Sequence, residues 1–240
     1  FTSEDGTERI VRSGDIIDPS GRCRLTAWCD FNPNKGDFVE LSSARVQFWQ
    51  GSPDLVIDDL NQVKEITNPP WEAINPENHW VDVDLNDLVN GGSRRGIQTS
   101  GNIISIRQDS GIIYRCPECR RVLRDDVCSE HGNVQGKEDL RLRFVLDNGI
   151  SNASLLLSME PSEDFLSKKF DDVKEQISVS GKDQFISSLR NMLFSKKVEI
   201  RGRALVDNQG TMILAEKMTI SDYDKSKEAN RVMEKWGVVL

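Results

Sequence analysis

The sequence predicts a mainly β fold with some α: two small five-stranded Greek-key barrels, the second interrupted by a metal-binding insertion and followed by a helix. Two observations predict it. Short segments of alternating apolar and polar residues are separated by turn signals such as DPSG at 18–21 and GSP at 51–53, which is typical of a small barrel or sandwich. In the second half, amphipathic helical segments lie between an early group of strands and two closing strands, as in an OB-fold.

The composition sets limits on the class of protein. At 240 residues the chain is long enough for two domains, and it contains no run of about twenty apolar residues such as a membrane helix needs. The sequence begins at Phe1 rather than Met, so we expect it to be part of something longer. The formal net charge of -8 argues mildly against a nucleic-acid partner but does not exclude one, because affinity for phosphate depends on where the cations lie.

Enzyme function is not expected. The chain has two histidines, one of which is a candidate metal ligand, so histidine-based catalysis would depend on His79 in a Pro-rich stretch. Neither a P-loop nor a dinucleotide-binding fingerprint is present. Of the five cysteines, three are candidate ligands, while Cys23 and Cys29 are interpreted as core residues. This use of cysteine fits a reducing cytoplasm.

Residues 1–66 are predicted to form the first barrel. In the strand 22–29 (RCRLTAWC), side chains alternate, so the cysteines, Leu25 and Ala27 share a core face while Arg22, Arg24, Thr26 and Trp28 share the other. In the segment 44–50 (ARVQFWQ), the core row is Ala44, Val46 and Phe48, and the opposite row is Arg45, Gln47 and Trp49.

Both strands therefore carry arginine and tryptophan on the side away from the core. Aromatic platforms flanked by cations suit single-stranded nucleic acid, because bases stack on the rings while Arg contacts the phosphates. We predict that Trp28 and Trp49 stack on bases and that Arg22, Arg24 and Arg45 pair with phosphates. The alternative is that each tryptophan is simply covered by a loop or by the connector.

Residues 67–95 are predicted to be a linker with one short acidic helical turn that places Leu85, Leu88 and Val89 on one side. Trp71 and Trp80 are expected to anchor this segment on a domain. The preferred interpretation is a tethering linker, part of which packs against a domain. An acidic segment that competes with DNA for a basic groove is the alternative.

Residues 96–222 are predicted to form the second barrel. In the strand 139–146, Leu140, Leu142, Phe144 and Leu146 face inward while Arg141 and Arg143 face outward. Helical spacing then links Leu166, Phe170, Val173 and Ile177 after Pro161, and a second helix contains Phe185, Ile186, Leu189, Met192 and Leu193. The closing strands, on either side of the turn at 207–210, place Arg201 and Arg203 on an outer face.

The insertion at 114–132 (YRCPECRRVLRDDVCSEHG) contains the strongest motif of the chain. Two residues separate Cys116 from Cys119, and two residues separate Cys128 from His131. Such paired knuckles close a tetrahedral zinc site. Because protein ligands fill all four positions, we expect one structural Zn²⁺ rather than a catalytic one. A disulfide or unrelated buried thiols are the weaker alternatives.

The tail, residues 223–240, carries Ala229, Val232, Met233 and Trp236 at helical spacing. This apolar stripe is expected to dock against partner helices, although packing on the chain's own barrel is an alternative.

These motifs together resemble the C-terminal OB-folds of the large subunit of replication protein A, of the archaeal type. The likeness rests on DPSGRCRLTAWCDF, GDFVELSSARVQFW and PWEAI in the first part, on a zinc ribbon inserted inside the second barrel, and on the final VDNQGTMILAEKMTISDYDKSKEANRVMEKW. The resemblance covers nearly the whole chain. His131 as the last ligand is more similar to archaeal members.

The resemblance implies a sequence-tolerant binder of single-stranded DNA in replication, recombination and repair. It implies base stacking at Trp28 and Trp49, assembly of a heterotrimer with two smaller OB-fold subunits through the terminal helix, and a location in the archaeal nucleoid, or in the nucleus of a eukaryote. Family members often carry aromatic residues in the strand after the first hairpin of the second barrel, where this chain has ISNASLLLS. The second barrel would then contact DNA through Arg141, Arg143, Arg201 and Arg203. A single-stranded RNA-binding protein and a protein-binding scaffold are the alternative functions.

Overall fold

The computed structural model describes residues 10–49, 51–72, 74–222 and 225–237, and only the backbone of residues 49, 225, 228, 231 and 235. The chain is mainly β with some α, as predicted. Its strands are β1 (Arg12–Asp18), β2 (Gly21–Ala27), β3 (Phe38–Leu41), β4 (Arg45–Trp49), β5 (Ser52–Ile57), β6 (Val63–Ile66), β7 (Val81–Asp82), β8 (Arg94–Ile106), β9 (Gly111–Arg115), β10 (Val127–Cys128), β11 (Gly132–Asn133), β12 (Lys137–Asp147), β13 (Asn152–Leu157), β14 (Lys197–Asp207) and β15 (Gly210–Ile220). Its helices are α1 (Leu85–Gly91), α2 (Met159–Leu166), α3 (Phe170–Ser180), α4 (Lys182–Leu193) and α5 (Lys225–Lys235).

The chain divides into two compact units. Unit 1 comprises residues 1–99 and 201–214, and unit 2 comprises residues 100–200 and 215–240. The long strands β8, β14 and β15 each contribute residues to both. The predicted domain boundaries at 66, 95 and 222 remain predictions.

Five strands pair in a closed cycle, in the order β8-β12-β13-β15-β14 and back to β8. A cycle of this order is a Greek-key barrel, in which a meander of three strands is closed by two later ones. The helices α2, α3 and α4 connect β13 to β14; α2 packs on β12 and β13, while α3 and α4 pack on β9. Buried apolar residues of unit 2 include Ile103, Leu140, Leu142, Phe144, Leu146, Leu155, Leu157, Leu189, Leu193, Val198 and Ile200.

The inward row predicted for β12 is confirmed, since Leu140, Leu142, Phe144 and Leu146 are all fully buried. The second predicted helix is also present as α4, and four of its five predicted core residues are buried. Met192 is the exception, with 40% of its surface exposed.

The helix predicted through Leu166 and Phe170 is two helices. α2 ends at Leu166 because Ser167 takes a left-handed conformation with φ of 51°. α3 then begins at Phe170, whose backbone N–H donates to the Glu163 carboxylate at 2.6 Å. The helical spacing continues across the break, but the backbone does not.

Four strands of unit 1 pair in the order β1-β2-β5-β4. β1 and β2 form an antiparallel hairpin, β2 runs parallel to β5, and β5 is antiparallel to β4. β3 and β6 form a separate two-stranded sheet. The core cluster of these strands is small, with Leu25, Ala27 and Ile57 buried. The predicted helical turn of the connector is present as α1, which buries Leu85 and Leu88.

Candidate metal centre and nucleic-acid interface

The four predicted ligands of the insertion lie together. Their side-chain donor atoms are all within 4.8 Å of one another. The Cys119 and Cys128 sulfurs are 3.5 Å apart, and Nδ1 of His131 lies 3.5 Å from the Cys116 sulfur and 3.6 Å from the Cys128 sulfur. Three sulfurs and one nitrogen at these separations could bind one metal ion.

The two ligand pairs lie on tight turns that aim their side chains inward. After the first pair, Arg120 has a φ of 60° and its N–H donates to the Cys116 carbonyl at 2.9 Å. After the second pair, Gly132 has a φ of 68°, a left-handed conformation that glycine adopts without strain. Between them, Asp125 and Asp126 both have positive φ, as in the two-residue turn that closes a hairpin.

A contact with a residue outside the four ligands orients the His131 ring. Nε2 of His131 lies 3.3 Å from the Glu118 carboxylate, which leaves Nδ1 directed at the sulfurs. A metal-binding histidine usually has such an outer partner, because it fixes the tautomer. The backbone N–H of Glu130, followed by other hydrogen bonds, lowers the pKa of Cys128 to about 6, so the thiolate that metals require is favoured there.

In unit 1, the strand register separates two faces, but the prediction that Val46 and Phe48 are core residues is wrong, since they are 59% and 70% exposed. Leu25 pairs with Leu55 and Val46 pairs with Leu55 on the next strand, so these residues share one face. Arg24 lies on the other face and is exposed. In the part of the chain that the structure describes, no ion pair or hydrogen bond of its guanidinium is found. Trp28, just beyond the end of β2, is 36% exposed.

Arg45 and Trp49 are the other predicted contacts from this sheet. Arg45 makes a bidentate ion pair with Asp58, with N···O distances of 2.7 and 2.9 Å. The hydrogen bond and charge of Arg45 lower the pKa of the Asp58 carboxyl. Trp49 pairs with Ser52 in the backbone ladder, but its side chain lies outside the described residues. Its predicted stacking role therefore stays a prediction.

Arg22 and Arg201 both lie over the ring of Trp80, with guanidinium carbons 5.4 and 6.0 Å from its centroid. Arg22 also donates to the Pro76 carbonyl at 2.6 Å, and Arg201 donates to the Gln98 amide oxygen at 2.6 Å. Trp80 was expected to anchor the connector, and this stack is the contact through which it does so. The sequence spacing does not predict that Arg22 and Arg201 stack on Trp80.

Arg141 and Arg143 contact one carboxylate, that of Asp109, at 2.7 and 2.6 Å. Only 12% of the Arg141 side chain is exposed, and burial lowers the pKa of its guanidinium. Burial alone would raise the pKa of Asp109, but the bond from Arg143 and the charge of Arg141 lower it overall. The remaining predicted cation, Arg203, is half-buried.

The predicted C-terminal helix is present as α5. Ala229 is exposed, Val232 is 40% exposed, Met233 is half-buried and Trp236 is 64% exposed. The N–H of Trp236 donates to the Val232 carbonyl at 3.1 Å, which continues the helical turn. Among the helices that the structure describes, none is both long and apolar enough to cross a membrane.

The comparisons with known proteins are distant. No protein-family model matches the chain, and no curated protein matches it. Among solved structures, a replication protein A heterotrimer bound to ssDNA is 9% identical with a TM-score of 0.44, over 100% of this chain and 66% of that chain. Yeast RPA bound to ssDNA is 12% identical with a TM-score of 0.35, over 59% of this chain and 85% of that chain. A mutant single-stranded DNA-binding protein from Thermus aquaticus is 10% identical with a TM-score of 0.25, over 90% of this chain and 82% of that chain.

Proposed function

We propose that this chain binds single-stranded DNA without strong sequence preference, as a large subunit of the replication protein A type, in DNA replication, recombination and repair. The observation that carries the proposal is the exposed Arg24 on β2 together with Trp28, which lies four residues further along the chain, just beyond the end of β2, and is 36% exposed. A free cation and an accessible indole are the two groups that bind a phosphate and a stacked base. We place the protein in the cytoplasm or nucleoid, or in the nucleus of a eukaryote.

Arg24 supports the proposal more strongly than the other predicted cations. Five of those cations contact groups of this chain: Arg45 contacts Asp58, Arg22 and Arg201 contact Trp80, and Arg141 and Arg143 contact Asp109. A phosphate must replace such a partner before it gains anything, whereas it meets Arg24 directly. The DNA would follow β2, with the paired arginines in secondary roles.

Zinc is the proposed metal. With Zn–S near 2.3 Å and Zn–N near 2.0–2.1 Å, a tetrahedral site has S···S edges of about 3.8 Å and S···N edges of about 3.6 Å. The separations of 3.5 Å between Cys119 and Cys128 and of 3.5 and 3.6 Å from His131 to two sulfurs are close to those edges. The ion would stabilise the insertion, which contains few apolar residues of its own.

The helix α5 is proposed to assemble the chain with smaller OB-fold subunits. Its apolar stripe ends in Trp236, of which 64% is exposed, and a large exposed aromatic side chain is typical of an interface. Helices from the partner subunits would cover Val232, Met233 and Trp236.

The test is tryptophan fluorescence during titration with a thirty-nucleotide oligo-dT at two salt concentrations, with duplex DNA of the same length as control. Saturable quenching that weakens with salt and is much stronger for the single strand is expected. Competition with oligo-U of equal length distinguishes an RNA-binding protein, which would prefer oligo-U. Absence of any salt-sensitive affinity, together with tight association of partner subunits, would favour the scaffold function instead.

A further inference from the structure

Trp80 contacts two of the arginines that the sequence predicts to bind phosphate. The guanidinium carbon of Arg22, on β2, is 5.4 Å from the centroid of its ring, and that of Arg201, on β14, is 6.0 Å away. All three residues belong to unit 1. A guanidinium at this distance from an indole ring is held by cation–π attraction, so a side chain of the protein itself engages both cations.

The chain around Trp80 contacts cations of the same unit through oxygen atoms. The Pro76 carbonyl accepts a hydrogen bond from the Arg22 guanidinium at 2.6 Å, and the Glu77 carboxylate lies 3.3 Å from Nζ of Lys35. We call residues 75–83 (NPENHWVDV) the covering segment; it contains two acidic residues and no lysine or arginine. It therefore offers these cations an aromatic face and oxygen acceptors, the two kinds of group that a nucleotide would offer them.

The covering segment is lightly held. Of its residues 75–80, all of which the structure describes, none is fully buried, and its one strand, β7, pairs with β8 over two residues only. Pro76 and Glu77 also line a cavity of about 1360 Å³, together with residues of β1 and β2. Folded interiors are normally close-packed, so a segment that borders such a cavity lacks much of the packing that would hold it. Its displacement would break few contacts.

The fit of the covering segment over Arg22 is incomplete. Nε of Arg22 and Nε2 of His79 are shielded from solvent, and among the described residues neither has a hydrogen-bond partner. A buried polar group without a partner costs free energy. A phosphate in place of the Pro76 carbonyl would accept from both Nε and Nη2 of Arg22, because a guanidinium pairs with phosphate through two parallel hydrogen bonds.

We infer that Arg22 and Arg201 form a subsite for one nucleotide of single-stranded DNA, and that the covering segment occupies this subsite in the free chain. The base would stack where Trp80 lies, and its phosphate would replace the Pro76 carbonyl. The inference rests on the proposed function, since DNA that follows β2 at Arg24 meets Arg22 on the same face, about 7 Å away along the strand. The free chain would then restrain its own DNA binding, because apparent affinity falls with the fraction of chains whose subsite is open.

The test is the anisotropy of a fluorescein-labelled thirty-nucleotide oligo-dT with the wild type and with Trp80→Ala. Loss of the indole should open the subsite and tighten binding by about 5- to 30-fold, the factor that two cation–π contacts of ordinary strength represent. A Trp80 that served only as an anchor would instead give unchanged or weaker binding in Trp80→Ala, and that result overturns the inference.

Trp71→Ala is the matched control. Trp71 is half-buried on the same connector, and in the part of the chain that the structure describes its ring contacts neither Arg22 nor Arg201. It should bind oligo-dT as the wild type does. An equal gain in Trp71→Ala and Trp80→Ala would show that any loosening of the connector has this effect, and would overturn the assignment of the subsite to Trp80.

Hydrogen exchange in the unsubstituted chain tests the displacement even where Trp80→Ala does not fold. The Val83 amide of the covering segment donates to the Gln98 carbonyl at 2.9 Å. Saturating oligo-dT should speed exchange of this amide severalfold, because the segment leaves β8. DNA that bound beside the covering segment would slow this exchange or leave it unchanged, and either result overturns the inference.

The proposed function and this inference fail in different ways. If the wild type binds oligo-dT, but Trp80→Ala binds no tighter and exchange at Val83 is no faster, only the self-occupied subsite is overturned. If neither the wild type nor Trp80→Ala binds oligo-dT, the proposed function is overturned and the subsite with it.

Discussion

Arg143 donates to the Asp109 carboxylate at 2.6 Å, and Arg141 donates to the same oxygen at 2.7 Å. Both arginines alternate with the buried leucines of β12, as the sequence predicts. Their guanidinium groups nevertheless contact an acid from the turn between β8 and β9 rather than solvent. One carboxylate therefore neutralises part of the charge that two predicted DNA contacts would supply.

Asp109→Asn is expected to destabilise the chain by about 1–2 kcal/mol at pH 7. Breaking a buried ion pair costs about 3–5 kcal/mol, and the value is reduced here because 45% of the Asp109 side chain is exposed. Urea unfolding of the wild type and the variant measures the difference. Asp58→Asn, which breaks the more exposed pair with Arg45, is the control and should cost less. An equal loss in both variants would contradict the structural role of Asp109.

The stabilisation by Asp109 should depend on pH. The pKa of its carboxyl is lower in the folded chain than in the unfolded one, near 3.9, so its contribution is present in full above the unfolded pKa. It is lost as the pH falls through the folded pKa. The stability difference between wild type and Asp109→Asn should therefore be constant from pH 7 to about pH 5 and shrink below about pH 4. A difference that stays constant to pH 3 would contradict the lowered pKa.

Trp28→Ala is expected to weaken oligo-dT binding by about 1–3 kcal/mol, or about 5- to 150-fold, because one base loses its stacking partner. Trp28→Phe should keep most of the affinity, since a smaller ring still stacks. Trp236→Ala, in α5, is the control and should bind DNA normally. Unchanged affinity in Trp28→Ala would contradict the proposal that DNA binds along β2 and Trp28.

Asp15→Asn is expected to strengthen DNA binding. Asp15 lies directly opposite Arg24 in the β1–β2 ladder, so its charge opposes a phosphate at that cation. The gain should be a few-fold at low salt and should shrink as salt rises, because exposed charges are screened. Glu175→Gln, at an exposed position of α3 in unit 2, removes the same charge and serves as control. Equal gains in both variants would indicate a net-charge effect only.

One zinc ion per chain is expected by elemental analysis. Removal with a chelator should unfold the insertion, because metal binding supplies most of the folding free energy of such a small segment. Cys119→Ser should lower the zinc content well below one per chain, while Cys23→Ser should retain it. Full zinc content in Cys119→Ser would contradict the four-ligand site.

The ligands and the strand faces could be predicted from sequence because both depend on neighbours along the chain. Cys116, Cys119, Cys128 and His131 lie on two short turns, and the alternation of a strand determines which side a residue faces. The contact of Asp109 with Arg143 could not be predicted, since it joins residues 34 positions apart through the pairing of other strands. Similarly, the alternation of side chains predicts which face of β4 carries Val46, but it does not predict the exposure of Val46. That exposure depends on what packs against the outer edge of β4, which strand alternation does not reveal.

Gly101→Ala is expected to destabilise the chain by about 1–3 kcal/mol. A Cβ at this buried position of β8 would lie 2.9 Å from the Asp147 carbonyl oxygen and 2.9 Å from Cγ of Leu146. A backbone oxygen within a strand ladder moves only if the ladder moves, so the strain is not relieved cheaply.

Gly91→Ala is the matched control, because a Cβ there meets nothing within 4 Å. At the end of α1 it should leave stability unchanged or raise it by up to about 1 kcal/mol. Urea unfolding of both variants should therefore give shifts of opposite sign or one large and one negligible shift. Equal destabilisation would show that the close approach of β8 to β12 at Gly101 is not a constraint on the barrel.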